Sequence, residues 1–173
     1  MPAPLVINNI EFARKALEIH DRIPVSQFLR LRDLLSTTDG ALDFSLKGGV
    51  NSAGKPTLRL QVQGEVQLPC QRCLEPFAFG LDIDETYVVV ADETAIPAST
   101  EDEATAQEDF IVADTQMQVN DLVEDEVLLA VPYAPRHDET VCGGGDVQDG
   151  LNKPSPFAVL QGLKTGKSKN QHN

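Results

Sequence analysis

Hydrophobic and polar residues alternate over one long stretch of this 173-residue chain. From Leu58 to Cys70 every second residue is apolar, small or a thiol, and most residues between them are polar. A period of two is typical of a half-buried antiparallel strand. The stretch is long for one strand, so a bulge or bend is expected at Gly64. Residues 42–46 and 77–90 repeat the alternation, and the three segments together predict a β-meander.

Helical spacing takes the place of this alternation near the N-terminus. Residues 8–20 predict a short helix capped by Asn8, with Glu11 three residues later in the capping-box position. Residues 26–35 predict a second helix, with Ser26 as its cap. The residues expected to face the core are Phe12, Ala13, Ala16 and Leu17 in the first helix and Phe28, Leu31, Leu34 and Leu35 in the second.

Two further elements are predicted after the meander. Residues 109–114, DFIVAD, indicate a short strand, and residues 119–131 indicate a helix capped by Asn120 or Asp121. The inward residues of that helix are expected to be Val119, Leu122, Val123, Val127 and Ala130. The set of elements predicts an α+β fold, in which an antiparallel β-meander or small open barrel-like sheet is joined by N-terminal helices and a central acidic helix.

The predicted domain organisation follows the changes in composition. Residues 1–142 are expected to form a single α+β domain, within which residues 91–109 form a mobile acidic loop. Residues 143–155 contain Gly, Asp and Pro and are predicted to be a linker. Residues 156–173 are predicted to be a short apolar docking segment followed by a basic, disordered tail.

The acidic residues are concentrated in the middle of the chain. The net charge is −13, and residues 73–135 contain 16 Asp or Glu but no Lys, Arg or His. Non-specific binding of nucleic acid requires cationic side chains that contact phosphates, so this segment is expected to repel RNA and to attract basic proteins. The alternative interpretation is that the acidic residues only keep the protein soluble.

Several classes of protein are not favoured by the sequence. No apolar run approaches the roughly 20 residues that cross a bilayer, and the N-terminus lacks the features of a signal peptide. Three cysteines do not suggest a disulfide framework, so the reducing cytoplasm is the expected location. The chain also lacks a phosphate-binding loop and the common hydrolase motifs. We therefore expect a protein that is not an enzyme and has neither a membrane nor a small-molecule partner.

A pair of cysteines is the strongest candidate for chemistry. Cys70 and Cys73 lie between two predicted strands, where a tight turn would direct both thiolates to one point. His137 and Cys142 supply two more ligands of the types that zinc prefers, and the four residues predict a Cys₃His zinc site. Two alternatives remain open: buried structural cysteines, or a redox-active dithiol.

Three blocks of sequence together resemble the YceD family, whose bacterial and plastid members are associated with accumulation of 23S ribosomal RNA. The blocks are CQRCLEPF, DLVEDEVLLAVPYAPRHDETVC and KPSPFAVLQGLK, and residues 8–24 are similar to the family's amino-terminal region. The resemblance implies a cytoplasmic factor in ribosome biogenesis, without implying a metal or a mechanism. The matching positions are Cys70, Arg72, Cys73, Pro76, Glu124, Asp125, Glu126, Leu129, Pro132, Pro135, His137, Cys142, Pro156, Phe157, Leu160 and Leu163.

The residues and the resemblance lead to one hypothesis and two alternatives. The hypothesis is a non-catalytic factor that supports 23S rRNA accumulation by binding a ribosomal protein or the large-subunit rRNA precursor. The alternatives are an adapter for a ribonuclease in rRNA processing and a redox-active dithiol protein. The candidate partner-binding residues are Arg72, Glu124, Asp125, Glu126, Phe157, Leu160 and Leu163.

Overall fold

A five-stranded sheet dominates the computed structural model, which describes residues 5–96, 109–137 and 142. The strands are β1 (Val6–Ile7), β2 (Glu18–Pro24), β3 (Ala41–Val50), β4 (Pro56–Pro69), β5 (Pro76–Val90), β6 (Asp109–Val112) and β7 (Met117–Gln118), and the helices are α1 (Asn9–Arg14) and α2 (Val119–Ala130). The large sheet has the order β2-β3-β4-β5-β6, and β1 pairs with β7 separately. The fold is thus mostly sheet with few helices, and the sheet is open, which agrees with the α+β expectation.

The predicted meander is confirmed by strands β3, β4 and β5. All pairs among them are antiparallel, and the β4–β5 ladder runs without interruption from Thr57↔Val88 to Pro69↔Pro76. The ladder continues across Gly64, so the expected bulge does not interrupt this pairing. Gly64 is required for another reason: its φ is +151°, and a Cβ there would lie 2.7 Å from Cδ2 of Leu42.

The hydrophobic core lies on one face of this sheet. The apolar positions of β4 are buried, as their alternation predicts: Leu58, Leu60, Val62, Val66 and Leu68. Residues from α1, from the segment 25–31 and from α2 belong to the same buried cluster. The other face carries polar side chains, among them Arg59 and Gln61, which both donate to Asp84.

The first predicted helix is only half correct. Asn8 caps α1 as expected, since its side chain accepts a hydrogen bond from the N–H of Glu11. The helix ends at Arg14, however, and residues 18–24 form a strand instead. This strand pairs along β3 from Glu18↔Lys47 to Pro24↔Ala41. The edge of β3 thus supplies hydrogen-bond partners for the backbone of this segment, and the local helical pattern does not predict them.

The second predicted helix is wrong. Two short 3₁₀ turns, Val25–Gln27 and Leu31–Leu34, occupy this segment, and neither has a side-chain cap. Phe28 and Leu31 are buried as expected, whereas Leu34 is 46% exposed. The N–H groups of residues 30 and 31 donate to the carboxylate of Glu124, so a distant side chain takes the place of a helical turn.

Helix α2 is close to its prediction, apart from its cap and one residue predicted to face inward. It begins at Val119, and the N-cap is Gln118 without a side-chain hydrogen bond, so the predicted caps Asn120 and Asp121 are wrong. Ala130 is exposed rather than inward. The predicted strand at residues 109–114 is confirmed as β6, which pairs in parallel with β5.

The remaining predictions for the chain fall largely outside the described residues. Within the predicted acidic loop, residues 93–95 form a 3₁₀ turn, and residues 97–108 are not described. The predicted linker 143–155 and the segment 156–173 also lie outside the described residues, and the domain boundary at residue 142 stays a prediction. The described helices include none that is long and apolar enough to cross a membrane.

Gly48 allows α1 to approach β3 closely, and this contact gives a first testable prediction. A Cβ on Gly48 would lie 2.4 Å from the carbonyl oxygen of Phe12 and 2.8 Å from Cα of Ala13. Because both are backbone atoms, Gly48→Ala is expected to lower the free energy of unfolding by about 1–3 kcal/mol, measured by urea denaturation.

Gly80→Ala is the matched control, since a Cβ there meets no atom within 4 Å. The control is expected to change stability by less than about 0.5 kcal/mol. Equal effects of the two substitutions would contradict the close approach of α1 to the sheet.

Candidate metal centre

The turn between β4 and β5 positions the two cysteines of the CxxC pair. Pro69 ends one strand and Pro76 begins the next, and these two residues form the last pair of the ladder. The N–H of Cys70 donates to the carbonyl of Glu75 over 2.9 Å, and the N–H of Leu74 donates to the carbonyl of Cys70 over 2.9 Å. Two backbone hydrogen bonds therefore close the turn around both thiols.

Leu74 has a φ of +64°, in the left-handed region that a leucine rarely adopts. Its side chain is 76% exposed and so gains little from burial in this position. The left-handed conformation instead lets the backbone reverse direction directly after Cys73, where the N–H of Leu74 donates to the carbonyl of Cys70. Backbone strain of this kind persists only where the surrounding hydrogen bonds hold it.

The segment that follows α2 brings in the histidine. The carbonyl of Pro135 accepts a hydrogen bond of 2.9 Å from the N–H of Gln71, which attaches this segment to the hairpin turn. The ring of Phe77 lies against the imidazole of His137, with the ring centroids 5.6 Å apart and the planes tilted by 55°. Both contacts place His137 beside the cysteines.

The four predicted ligands converge. One ligand atom from each of Cys70, Cys73, His137 and Cys142 lies within 4.8 Å of the other three. The Sγ atom of Cys73 is 3.6 Å from Nε2 of His137. Tetrahedral zinc with bonds of about 2.3 Å to sulfur and about 2.0 Å to nitrogen requires ligand separations of roughly 3.5–3.8 Å. The residues therefore fit a metal ion after a contraction of about 1 Å at most.

The electrostatic environment favours a thiolate at Cys70. Burial of the side chain opposes ionisation, but the N–H groups of Cys73, Arg72 and His137 point towards the sulfur and lower the pKa of Cys70 to about 6. The N–H of Arg72 lies 3.4 Å from Sγ. The thiolate is thus stabilised by the backbone of the turn, and metal ligation requires that same charged form.

The imidazole of His137 has a ring nitrogen that could accept a metal ion. Its Nδ1 atom is buried and has no hydrogen-bond partner among residues 5–96, 109–137 and 142, while its Nε2 atom faces a sulfur. A buried polar atom without a partner is costly, so a ring in this state is suited to receive a metal ion.

The geometry does not resemble that of a redox dithiol. Cys70 has the lowered pKa, yet its side chain is fully buried, and a strand rather than a helix follows Cys73. Thiols that attack disulfides are usually accessible and lie at helix N-termini. Four protein ligands also leave no open coordination position, which is typical of structural rather than catalytic zinc.

A comparison with protein families now identifies the group to which the molecule belongs. The family model described as "Large ribosomal RNA subunit accumulation protein YceD" matches residues 58–164, which include the hairpin turn, α2 and all four converging ligands. The chain belongs to the YceD family. A curated YceD protein of Haemophilus influenzae, named as a large ribosomal RNA subunit accumulation protein, is 28% identical over 170 residues, covering 93% of this chain and 95% of the relative. No solved structure gives a significant match.

The residues that the sequence predicts to bind partners lie in different environments. Arg72 is exposed in the hairpin turn. Asp125 is 52% exposed and pairs with the guanidinium of Arg30, and Glu126 is half-buried. Glu124, by contrast, is buried, with only 6% of its side chain exposed. Phe157, Leu160 and Leu163 lie outside the described residues.

Sequence reasoning missed the environment of two residues. Glu124 joins α2 to the segment 30–31, and nothing in the spacing of α2 separates it from its exposed neighbours. Tyr87 lines an acidic cleft beside α2. A signal for Tyr87 did exist, since residues 87–90 form a continuous apolar run, which is typical of a strand covered on both faces.

Proposed function

We propose that this protein is a non-catalytic cytoplasmic factor that supports accumulation of 23S rRNA and biogenesis of the large ribosomal subunit by binding a basic ribosomal protein. Membership of the YceD family supports the link to large-subunit RNA. The choice of a basic protein as the direct partner, rather than RNA, rests on the distribution of charge.

The pairing of cationic side chains is the observation that carries this choice. In the described part of the chain, six of the ten Lys or Arg side chains form ion pairs with carboxylates: Lys15, Arg22, Arg30, Arg32, Lys47 and Arg59. A cation that is already paired with a carboxylate is poorly available to a phosphate. Residues 75–126, by contrast, supply many carboxylates and no cations, which favours a cationic partner.

Zinc has a structural role in this proposal. The Cys₃His residues would hold the ion, and its Lewis acidity would stabilise the thiolates that bind it. Cys70 and Cys73 come from the hairpin turn, and His137 comes from the segment after α2. A metal ion held by all of them would cross-link these two parts of the molecule.

Affinity purification of the tagged protein from growing cells tests the proposed partner. We expect large-subunit ribosomal proteins to be captured, and we expect the capture to survive digestion with ribonuclease. Because the attraction is electrostatic, the affinity of a purified partner should fall at least about tenfold between 50 and 300 mM salt.

The alternatives predict other outcomes in the same experiment. Loss of capture after ribonuclease digestion would indicate direct binding of rRNA. Recovery of a ribonuclease as the main partner would favour the adapter role. An affinity that does not change with salt would contradict binding through the acidic surface.

A further inference from the structure

A cleft of about 720 Å³ lies beside α2, next to strand β5 and the start of β6. Five acidic residues line it, and its lining contains no Lys, Arg or His: Asp82, Asp84, Glu85, Asp109 and Glu126. The carboxylates of Asp82 and Asp84 lie on the polar face of the sheet, where they accept hydrogen bonds from Gln63 and from Arg59 and Gln61. Asp84 is neutralised by Arg59, which with Gln61 lowers the pKa of Asp84 to about 2. The other four form no ion pair with any residue that the structure describes.

Tyr87 gives this cleft a feature that an ordinary acidic surface lacks. The residue is only 7% exposed, and its hydroxyl is buried without a hydrogen-bond partner in the described part of the chain. Burial raises the pKa of Tyr87, and the nearby carboxylates of Glu126, Glu85 and Asp109 raise it further. The hydroxyl therefore stays neutral, and its lone pairs are available to a donor on a ligand.

The arrangement of the carboxylates disfavours a metal ion in the cleft. Among the described residues, only the Cys₃His group brings three or more candidate ligand atoms together. A small cation needs convergent oxygens at about 2.0–2.6 Å. Dispersed carboxylates around an apolar surface suit a larger cation whose charge is spread over several donors, as in the guanidinium group of arginine.

Apolar residues of the cleft fit the remainder of an arginine side chain. Ile83, Phe110 and Leu129 line the cleft together with the carboxylates. The methylene groups of arginine can pack on such a surface, and guanidinium groups stack on aromatic rings. The ring of Phe110 already has the ammonium group of Lys55 5.9 Å from its centroid, so this ring is placed to contact cations.

The edge of β5 suggests the conformation of the ligand. Residues 82–86 pair with β4 on one side, and the parallel partner β6 begins only at the pair Tyr87↔Asp109. The other edge of residues 82–86 has no strand beside it in the described part of the chain. An open strand edge can accept an extended peptide, whose side chains then alternate.

From these observations we propose that the cleft around Tyr87 binds arginine side chains of a basic, extended protein segment. The inference rests on the proposed function, because a basic partner is what the cleft would hold. It adds the site, the preferred side chain and the conformation of the bound segment.

Fluorescence anisotropy with a labelled peptide of four Arg-Thr repeats tests the proposal on the full-length protein. The double variant Glu85→Gln/Glu126→Gln is expected to weaken binding at least about tenfold. Glu65→Gln/Glu93→Gln removes the same charge from exposed positions outside the cleft and is expected to change Kd less than about twofold. A Lys-Thr peptide should bind more weakly than the Arg-Thr peptide.

Tyr87→Phe tests the hydroxyl separately. We expect this variant to bind the Arg-Thr peptide about threefold to tenfold more weakly, with a melting temperature equal to or above that of the wild type. Unchanged binding by Tyr87→Phe, equal weakening by the two double variants, or displacement of the peptide by millimolar Mg²⁺ would each overturn the inference. The assay contains no ribosomal component and therefore tests the cleft separately from the proposed function. If the cleft double variant still captures large-subunit proteins as the wild type does, the cleft is refuted and the proposed function stands.

Discussion

Substitution of Cys70 by serine is expected to abolish zinc binding and to lower the melting temperature by roughly 10 °C or more. The wild-type protein should carry about one zinc ion per chain. Serine cannot replace a thiolate as a zinc ligand, and zinc that binds only the folded protein adds its binding free energy to stability. Elemental analysis and differential scanning calorimetry measure the two quantities.

Two controls separate loss of the metal from loss of packing. Cys70 is fully buried, so its substitution also disturbs the core, whereas Cys73 is partly exposed. Cys73→Ser should therefore reproduce the loss of zinc with less effect on packing. Treatment of the wild type with a chelator should lower its melting temperature towards that of the variants.

The alternatives for the cysteines give different results in these experiments. If they are merely buried core residues, the purified wild type will be free of metal and its melting temperature will not respond to a chelator. Thiol titration distinguishes a redox dithiol, since zinc-bound thiols are protected until the metal is removed. The zinc content of Cys142→Ser alone shows whether Cys142, as the fourth ligand, contributes to zinc binding.

The sequence predicts the meander and the cluster of three Cys and one His side chains because local patterns and residue types are enough for both. Alternation from Leu58 to Cys70 is enough to place one face of β4 in the core. A CxxC pair between two strands is enough to place both thiols in a turn. The residue types of His137 and Cys142 then complete a set of four ligands that suits the same metal.

The N-terminal helices could not be predicted in the same way, since their hydrogen-bond partners are distant in sequence. Residues 18–20 belong to the predicted helix, yet they pair with β3, more than twenty residues away. The N–H groups of Arg30 and Leu31 bind a side chain that lies over ninety residues further along the chain. Local propensity is a weak prior where tertiary contacts supply such partners.

Glu124→Ala is expected to lower the free energy of unfolding by about 3–5 kcal/mol, the largest effect of any single carboxylate that we predict. The carboxylate accepts the N–H of Arg30 over 2.6 Å, the N–H of Leu31 over 3.0 Å and Nε of Arg30 over 3.0 Å. Alanine would leave two backbone N–H groups and one side of the guanidinium without this acceptor, in a place where Leu31 is fully buried. Chemical denaturation measures the change.

Asp125→Ala is the matched control, because it removes the neighbouring carboxylate from the same helix and the same guanidinium. Asp125 is 52% exposed and pairs with the guanidinium of Arg30, so its loss should cost less than about 1 kcal/mol. Glu124→Gln keeps one acceptor oxygen and should fall between the two alanine variants. Equal effects of Glu124→Ala and Asp125→Ala would show that residues 30 and 31 do not depend on α2. They would also indicate that Glu124, which lies in the acidic block that resembles the YceD family, has a surface role instead.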